Sequence, residues 1–322
     1  MVNPLNMADW LSEASQPAAR YRYLTDVRGV SPGSKPAGTA RAAITRRGWG
    51  AELLARQDPR GFWVERESLY RPKYSATNWN LLVLGELGAS GRDPRVARAL
   101  DLMRRDFSAP GGAFGSRKHG PHHCITGNTA RMFIQLGRAG DPRVARSLDW
   151  LADSQEKDGG WDCFGRKKGT LDCWEGLAAY AALGEKKLTP RWKAAVERGA
   201  EFYLDRRLLK EGKKRYAAWE RIHYPVHYYY DFLLGLEILT SLGYGDDPRL
   251  KPALALLRKK RRSDRTWALD AIHPDLPKGN DYENDKEVSG FVASAYRLSI
   301  EPPLAPSKWT TLRALGVLKR TG

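Results

Sequence analysis

Two stretches of this 322-residue chain carry one pattern almost unchanged, Gln-x-x-x-Gly-x-Trp, from Gln57 to Trp63 and again from Gln155 to Trp161. Looser copies run from Gly111 to Phe114, from Lys214 to Trp219 and from Ser263 to Trp267. A second landmark keeps step with the first: a Leu-Gly pair, a short turn, then Asp-Pro-Arg or Thr-Pro-Arg. Its copies are Leu87-Gly88 with Asp93-Pro94-Arg95, Leu136-Gly137 with Asp141-Pro142-Arg143, Leu183-Gly184 with Thr189-Pro190-Arg191, and Leu242-Gly243 with Asp247-Pro248-Arg249. The triplets begin at 93, 141, 189 and 247, at intervals of 48, 48 and 58. A period near 50 sustained over most of the chain means stacked supersecondary units, each unable to bury its apolar face alone.

The landmarks are helix punctuation. Asp or Thr followed by Pro puts a capping side chain at the N-cap and Pro at the first helical position, where its missing N–H costs nothing. Helical periodicity follows, with Val96, Leu100 and Met103 in one copy and Val144, Leu148 and Leu151 in the next. Leu-Gly ends the preceding helix, the Gly taking the left-handed position. Each unit is therefore an outer helix, a loop carrying Gly-x-Trp, and an inner helix. Outer helices are predicted near 44–57, 94–106, 142–155, 190–208 and 248–262. The more apolar and aromatic inner ones fall near 77–88, 125–137, 171–183, 227–242 and 307–319. Five hairpins with an inner set buried all round predict an all-α fold, a closed α/α toroid in which the first and last units meet. Residues 1–43 read as a short helical arm and a linker, residues 44–322 as the toroid domain, and 276–306 as an insertion across one rim.

Charge bounds the partners. Lys and Arg number 54 against 37 Asp and Glu, a net charge of +17. Such an excess favours an anionic partner, whether a diphosphate, an acidic lipid or membrane surface, or a protein docking on the basic face. A specific nucleic-acid partner is not expected, because the aromatics follow the helical repeat and not a base-stacking pattern. No run of 18 apolar residues exists, and three cysteines make no disulfide framework, so a soluble cytoplasmic protein is expected.

The repeat resembles that of the α/α-toroid superfamily of squalene and oxidosqualene cyclases and protein prenyltransferase β subunits. The fullest copy, Trp150 to Gln155 running on to Gly159-Gly160-Trp161, is similar to the cyclases' Gln-Trp motif, and the likeness covers roughly residues 44–319. It implies the toroid, and with it an isoprenoid-acting enzyme in which the Gln caps an outer helix and the Trp stacks on a neighbouring loop.

In a double ring, the residues that begin the inner helices converge at one mouth. Those of this chain are unusually rich in chemistry: Trp79 in the first unit; His122, His123 and Cys124 in the second; Asp162, Cys163, Asp172, Cys173, Trp174 and Glu175 in the third; His223, His227, Tyr228 and Asp231 in the fourth. Two chemistries compete for them. The segment Asp172-Cys173-Trp174-Glu175 resembles the Asp-Cys-Thr-Ala-Glu of oxidosqualene cyclases, with Trp174 where those enzymes carry Thr. The resemblance implies that Asp172 is a general acid assisted by Cys173. Trp79, Trp174, Tyr228 and Trp309 would then hold a carbocation by cation–π attraction. Alternatively the mouth holds zinc, since Cys124 and Cys163 with His123 or His227 offer thiolate and imidazole ligands. Here Gly165 to Cys173 resembles the zinc-bearing segment of prenyltransferase β subunits, and the basic knot Arg166-Lys167-Lys168 would bind a substrate diphosphate. A third outcome remains open, a non-catalytic ring that binds lipid or protein.

Overall fold

The computed structural model describes residues 6–210, 216–227, 229–271 and 300–322. Each proline landmark starts a helix by the expected means. Asp93, Asp141 and Asp247 accept hydrogen bonds from the backbone N–H groups of Arg95, Arg143 and Arg249 at 3.0, 2.9 and 2.8 Å, and Thr189 accepts one from Trp192 at 3.3 Å. These caps open α6 (Pro94–Asp106), α8 (Pro142–Asp153), α10 (Pro190–Asp205) and, through a 3-10 turn at Pro248–Leu250, α12 (Lys251–Lys259). With α4 (Gly48–Ala55) they form the outer set. The inner set is α5 (Thr77–Glu86), α7 (His123–Gln135), α9 (Glu175–Leu183), α11 (Phe232–Ser241) and α13 (Lys308–Lys319). Gly88, Gly137, Gly184 and Gly243, which follow the first four inner helices, all adopt positive φ between 81° and 92°. That conformation is what ends a helix, and it is the reason Leu is followed by Gly there.

The repeated Trp ties each loop to its own unit, and the repeated Gln ties that unit to the next. The Trp63 and Trp161 indoles donate back to the carbonyls of Leu53 and Leu151 on their own outer helices at 2.9 and 2.8 Å, and Trp267 does the same to Leu257 at 2.8 Å. Gln57 donates both to Gly61 and to the carbonyl of Arg95 in the next outer helix, and Gln155 does so to Gly159 and to Ala195. The Gln therefore joins neighbouring outer helices through carbonyl groups, a stronger coupling than the cap expected of it.

The inner helices pack in chain order, α5 on α7, α7 on α9, α9 on α11 and α11 on α13; the first four lie against outer helices, whereas α13 packs on the N-terminal helices Met7–Leu11 and Pro17–Arg22. The ring closes where Trp309 of α13 meets Trp49 of α4, ring centroids 6.1 Å apart and edge-to-face. The fold is the all-α toroid, with a two-residue antiparallel pair, Trp267–Ala268 on Pro306–Ser307, as its only sheet among the described residues. No helix among the described residues is long and apolar enough to cross a membrane.

Three expectations need correction. Residues 6–43 are helical and packed, not a linker. They comprise α1 (Met7–Leu11), α2 (Pro17–Arg22), a π turn at Tyr23–Val27 and α3 (Lys35–Ala43), with α1, α2 and the π turn against α13 and the Arg41 guanidinium on the Gly88 carbonyl at 3.0 Å. Inner helix α9 begins at Glu175, not 171, because Thr170 to Cys173 is held in a turn, with the Cys173 N–H on the Thr170 carbonyl. Helix α11 begins only after Asp231, whose carboxylate accepts from the Leu234 N–H at 2.8 Å and so fixes the start. Tyr228 and residues 276–299 of the expected rim insertion lie outside the described residues.

Candidate functional site

The loops before α7 and α9, with Tyr216 to Trp219 and with Tyr229 and Tyr230, enclose a cavity of about 660 Å³ at the mouth of the ring. Its wall is mainly apolar and aromatic, with Tyr70, Trp219, Tyr229 and Tyr230 contributing rings. A volume of this size suits a small organic molecule, for which pockets span about 300–1,000 Å³.

Among the described residues two carboxyl groups line it, three residues apart. Glu175, the first residue of α9, is wholly buried, and neither of its side-chain oxygens has a hydrogen-bond partner among the described residues. Burial, reinforced by the neighbouring Cys124, pushes its carboxyl well above the usual carboxylate range, against the pull of the Arg131 cation. Asp172 is differently placed: half-buried, its Oδ1 accepts the Trp219 indole N–H at 2.9 Å. Cys173, also on the wall, is buried, and its sulfur accepts the backbone N–H of Cys163 at 3.1 Å.

The donor set for a metal is not the one anticipated. The side-chain ligand atoms of His122, Cys124 and Cys163 lie within 4.8 Å of one another, with His122 Nδ1 3.2 Å from Cys124 Sγ. The bond to Cys163, with burial added, raises the Cys124 thiol well above its ordinary value, whereas the bond to Cys124 raises His122. His123 is turned away: its Nδ1 meets the Asp162 carbonyl at 2.8 Å and its ring packs on Trp150. His227 is buried before α11 at φ +48°, its ring stacked on Tyr74 and edge-on to Trp79, and its carbonyl accepts from Asn128 at 2.7 Å. Neither joins the cysteines. The donor types, two sulfurs and one nitrogen, fit the three protein ligands of a zinc ion of the catalytic kind.

Three expected aromatics stand elsewhere. Trp79 is buried behind the wall, its indole N–H on the Tyr70 carbonyl at 2.8 Å. Trp174 caps the base of α9 with the Arg131 guanidinium 4.9 Å above its ring. Trp309 lines a second cavity, within the ring, which among the described residues shares no lining residue with the first. Arg166, Lys167 and Lys168 are exposed on the loop after Asp162. The Asp162 carboxylate orders that loop by accepting the N–H groups of Phe164 and Lys167, both at 2.8 Å. None of the three cations reaches the cavity wall, which instead carries Lys73, whose amine burial pulls down to about 8. Lys73 gave no signal in the repeat, and Glu175 was overshadowed by Asp172.

A buried pair stands apart from the cavity. His223 Nδ1 lies 2.9 Å from Asp231 Oδ2, both side chains fully buried. Burial pushes Asp231 up, but His223, the Arg313 charge and the Leu234 N–H outweigh it and hold the carboxyl below its ordinary value.

No family model matches the chain, and no curated protein matches it in sequence. Solved structures of similar path exist. A protein from Actinoplanes is 18% identical with a TM-score of 0.47, over 97% of this chain and 90% of that one. A variant of the type II terpene cyclase MstE from Scytonema, in its apo form, is 14% identical with a TM-score of 0.45, over 98% and 99%. Another MstE variant, in complex with geranylgeranyl dihydroxybenzoate, gives 14%, 0.45, 98% and 98%.

Proposed function

We propose that this chain is an isoprenoid-acting enzyme of the cyclase type, in which Glu175 starts carbocation chemistry in the mouth cavity. The observation that carries this reading is a carboxyl group wholly buried on an apolar wall with no hydrogen-bond partner among the described residues. Burial makes such a group hold its proton well above the usual carboxylate range, and an alkene carbon is the kind of weak base that needs a proton delivered where water cannot compete. Proton transfer from Glu175 to an alkene leaves a carbocation, a second double bond attacks it to close a ring, and loss of a proton from a neighbouring carbon restores an alkene. The product is an isomer of the substrate, so no other reactant is consumed. The faces of Tyr70, Trp219, Tyr229 and Tyr230 suit the cation. Asp172, held as an acceptor by Trp219, suits the final base better than the acid role that the sequence suggested.

The test is incubation of the full chain with squalene, geranylgeraniol and a geranylgeranylated phenol, with mass spectrometry of the extracts. A product of unchanged mass with fewer double bonds, formed at least about 10²-fold more slowly by Glu175→Gln, is the expected result. Binding of these lipids without turnover would instead favour a non-catalytic carrier, and neither binding nor turnover would defeat the reading.

His122, Cys124 and Cys163 support a second reading, a zinc-dependent prenyl transfer. A zinc ion there would activate a thiol or hydroxyl nucleophile, and Arg166 to Lys168 would meet a diphosphate at the rim. About one zinc per purified chain, lost in Cys124→Ser and Cys163→Ser but kept in His123→Gln, is what it requires. A zinc-free protein after purification with added zinc removes it.

A further inference from the structure

The second cavity, of about 310 Å³, lies within the ring and reaches from Trp309 to the last residues of α5, α7 and α11. Four guanidinium groups enter it from separate segments: Arg22 from α2, Arg131 from α7, Arg313 from α13 and Arg320 just after α13. Three carboxylates face them. Arg22 Nε meets Asp26 at 3.0 Å, Arg131 Nη1 meets Glu86 at 2.9 Å, and Arg313 Nε meets Glu237 at 2.7 Å. Arg320 bonds through Nε to the Thr240 hydroxyl at 2.9 Å and has no carboxylate ion-pair partner among the described residues. Among the described residues, four cations against three anions leave the lining with one positive charge in excess.

The pairing is also incomplete in direction. Arg313 is 4% exposed, yet its Nη2 has no hydrogen-bond partner among the described residues, and the Nε of Arg131, 5% exposed, has none either. A buried guanidinium N–H without an acceptor is costly, so a group that supplies oxygen there is strongly favoured. Because a guanidinium offers five N–H donors in a fixed fork, an Arg that spends one edge on a carboxylate can still grip a second oxyanion with another. We propose that this cavity is a binding site for a small oxyanion, a phosphate or carboxylate group, seated between Arg313 and Arg320. The site is separate from the mouth cavity, and the +17 charge of the chain would concentrate such anions near it.

The test is thermal unfolding of the full chain titrated with inorganic phosphate, pyrophosphate or benzoate, with ionic strength held constant by chloride. A saturable rise in melting temperature is expected with at least one of them; the benzoate arm separates carboxylate from phosphate. Arg320→Gln leaves all three ion pairs in place and should weaken that anion at least about tenfold, the scale of one lost charge-assisted hydrogen bond. Arg258→Gln, on the exposed face of α12, controls for surface charge and should bind as the parent does. A rise that does not saturate, or an affinity equal in Arg320→Gln and the parent, would overturn the proposal.

Discussion

Replacing Glu175 by Gln isolates the consequence of a single buried proton. In the unfolded chain a glutamate titrates near 4.3, whereas in the fold burial holds this carboxyl protonated well above that range. Between the two values the native state carries a proton that the unfolded state has released. The associated stability is complete below about pH 4.3 and is lost as pH rises toward the folded value. One proton of difference gives a slope of about 1.4 kcal/mol per pH unit. The Gln side chain has no such proton, and its own buried amide adds only an offset that does not change with pH. Urea melts of parent and Glu175→Gln, followed by tryptophan fluorescence at pH 5, 6 and 7, should therefore diverge progressively in favour of the variant, at up to that slope for as long as the pH stays below the folded value. Shifts at other groups cancel in the comparison. A difference that stays flat from pH 5 to 7 would show that Glu175 ionises normally, and it would lose its standing as a proton donor.

Other perturbations separate structural from chemical roles. Asp172→Asn keeps an acceptor for the Trp219 indole, so melting should hold while turnover drops about 10²-fold or more; full activity removes Asp172 from the chemistry. Trp161→Phe deletes the bond to the Leu151 carbonyl and should cost about 1–3 kcal/mol in urea unfolding, and an unchanged midpoint would mean the tie is idle. Trp309→Ala empties the seam beside Trp49 and Tyr224, for which a loss of about 3–5 kcal/mol is expected by the same assay. Asp231 sits below its ordinary value, so its contribution is present above about pH 3.9 and is lost as pH falls through its folded value. The acid-unfolding limb of Asp231→Asn should accordingly be shallower than that of the parent.

The punctuation of the repeat was legible because caps and stops act locally. Asp93-Pro94 and Gly88 need only their own backbone to do their work, and the outer helix expected at 94–106 is found with those bounds. The start of α9 was not legible, since a turn at Thr170 to Cys173 and a first helical turn contain the same residue types. The mouth cavity was legible as a neighbourhood but not in its membership. Inner helices are buried on every side, so periodicity cannot tell a residue facing the cavity from one wedged between helices: Trp79 and Trp174 fell on the wrong side of that division, and Lys73 was overlooked. His122 and His123 are adjacent in sequence, and only the winding of α7 decides which one meets the cysteines. The Trp309 aromatic did prove to line a cavity, though not the one for which it was singled out.

The Gln ties and the Trp49–Trp309 seam have a consequence for how the chain is threaded. Gln57 and Gln155 make the same bond to the succeeding outer helix, and the seam joins the last hairpin to the first, so no hairpin occupies a terminal position in space. The order in which the hairpins are written is then partly a matter of where the polymer happens to be cut. Helix α1 lies against α13, with Lys308 Nζ on Glu13 at 2.6 Å, so the first helix meets the start of the last one and the chain ends are separated by about the length of α13, which a linker could span. A circular permutant with those ends linked and a new opening at the exposed Gly140 would keep every neighbour relation of the ring. An open array would have to invent a new capping unit for the same operation; a ring has none to replace.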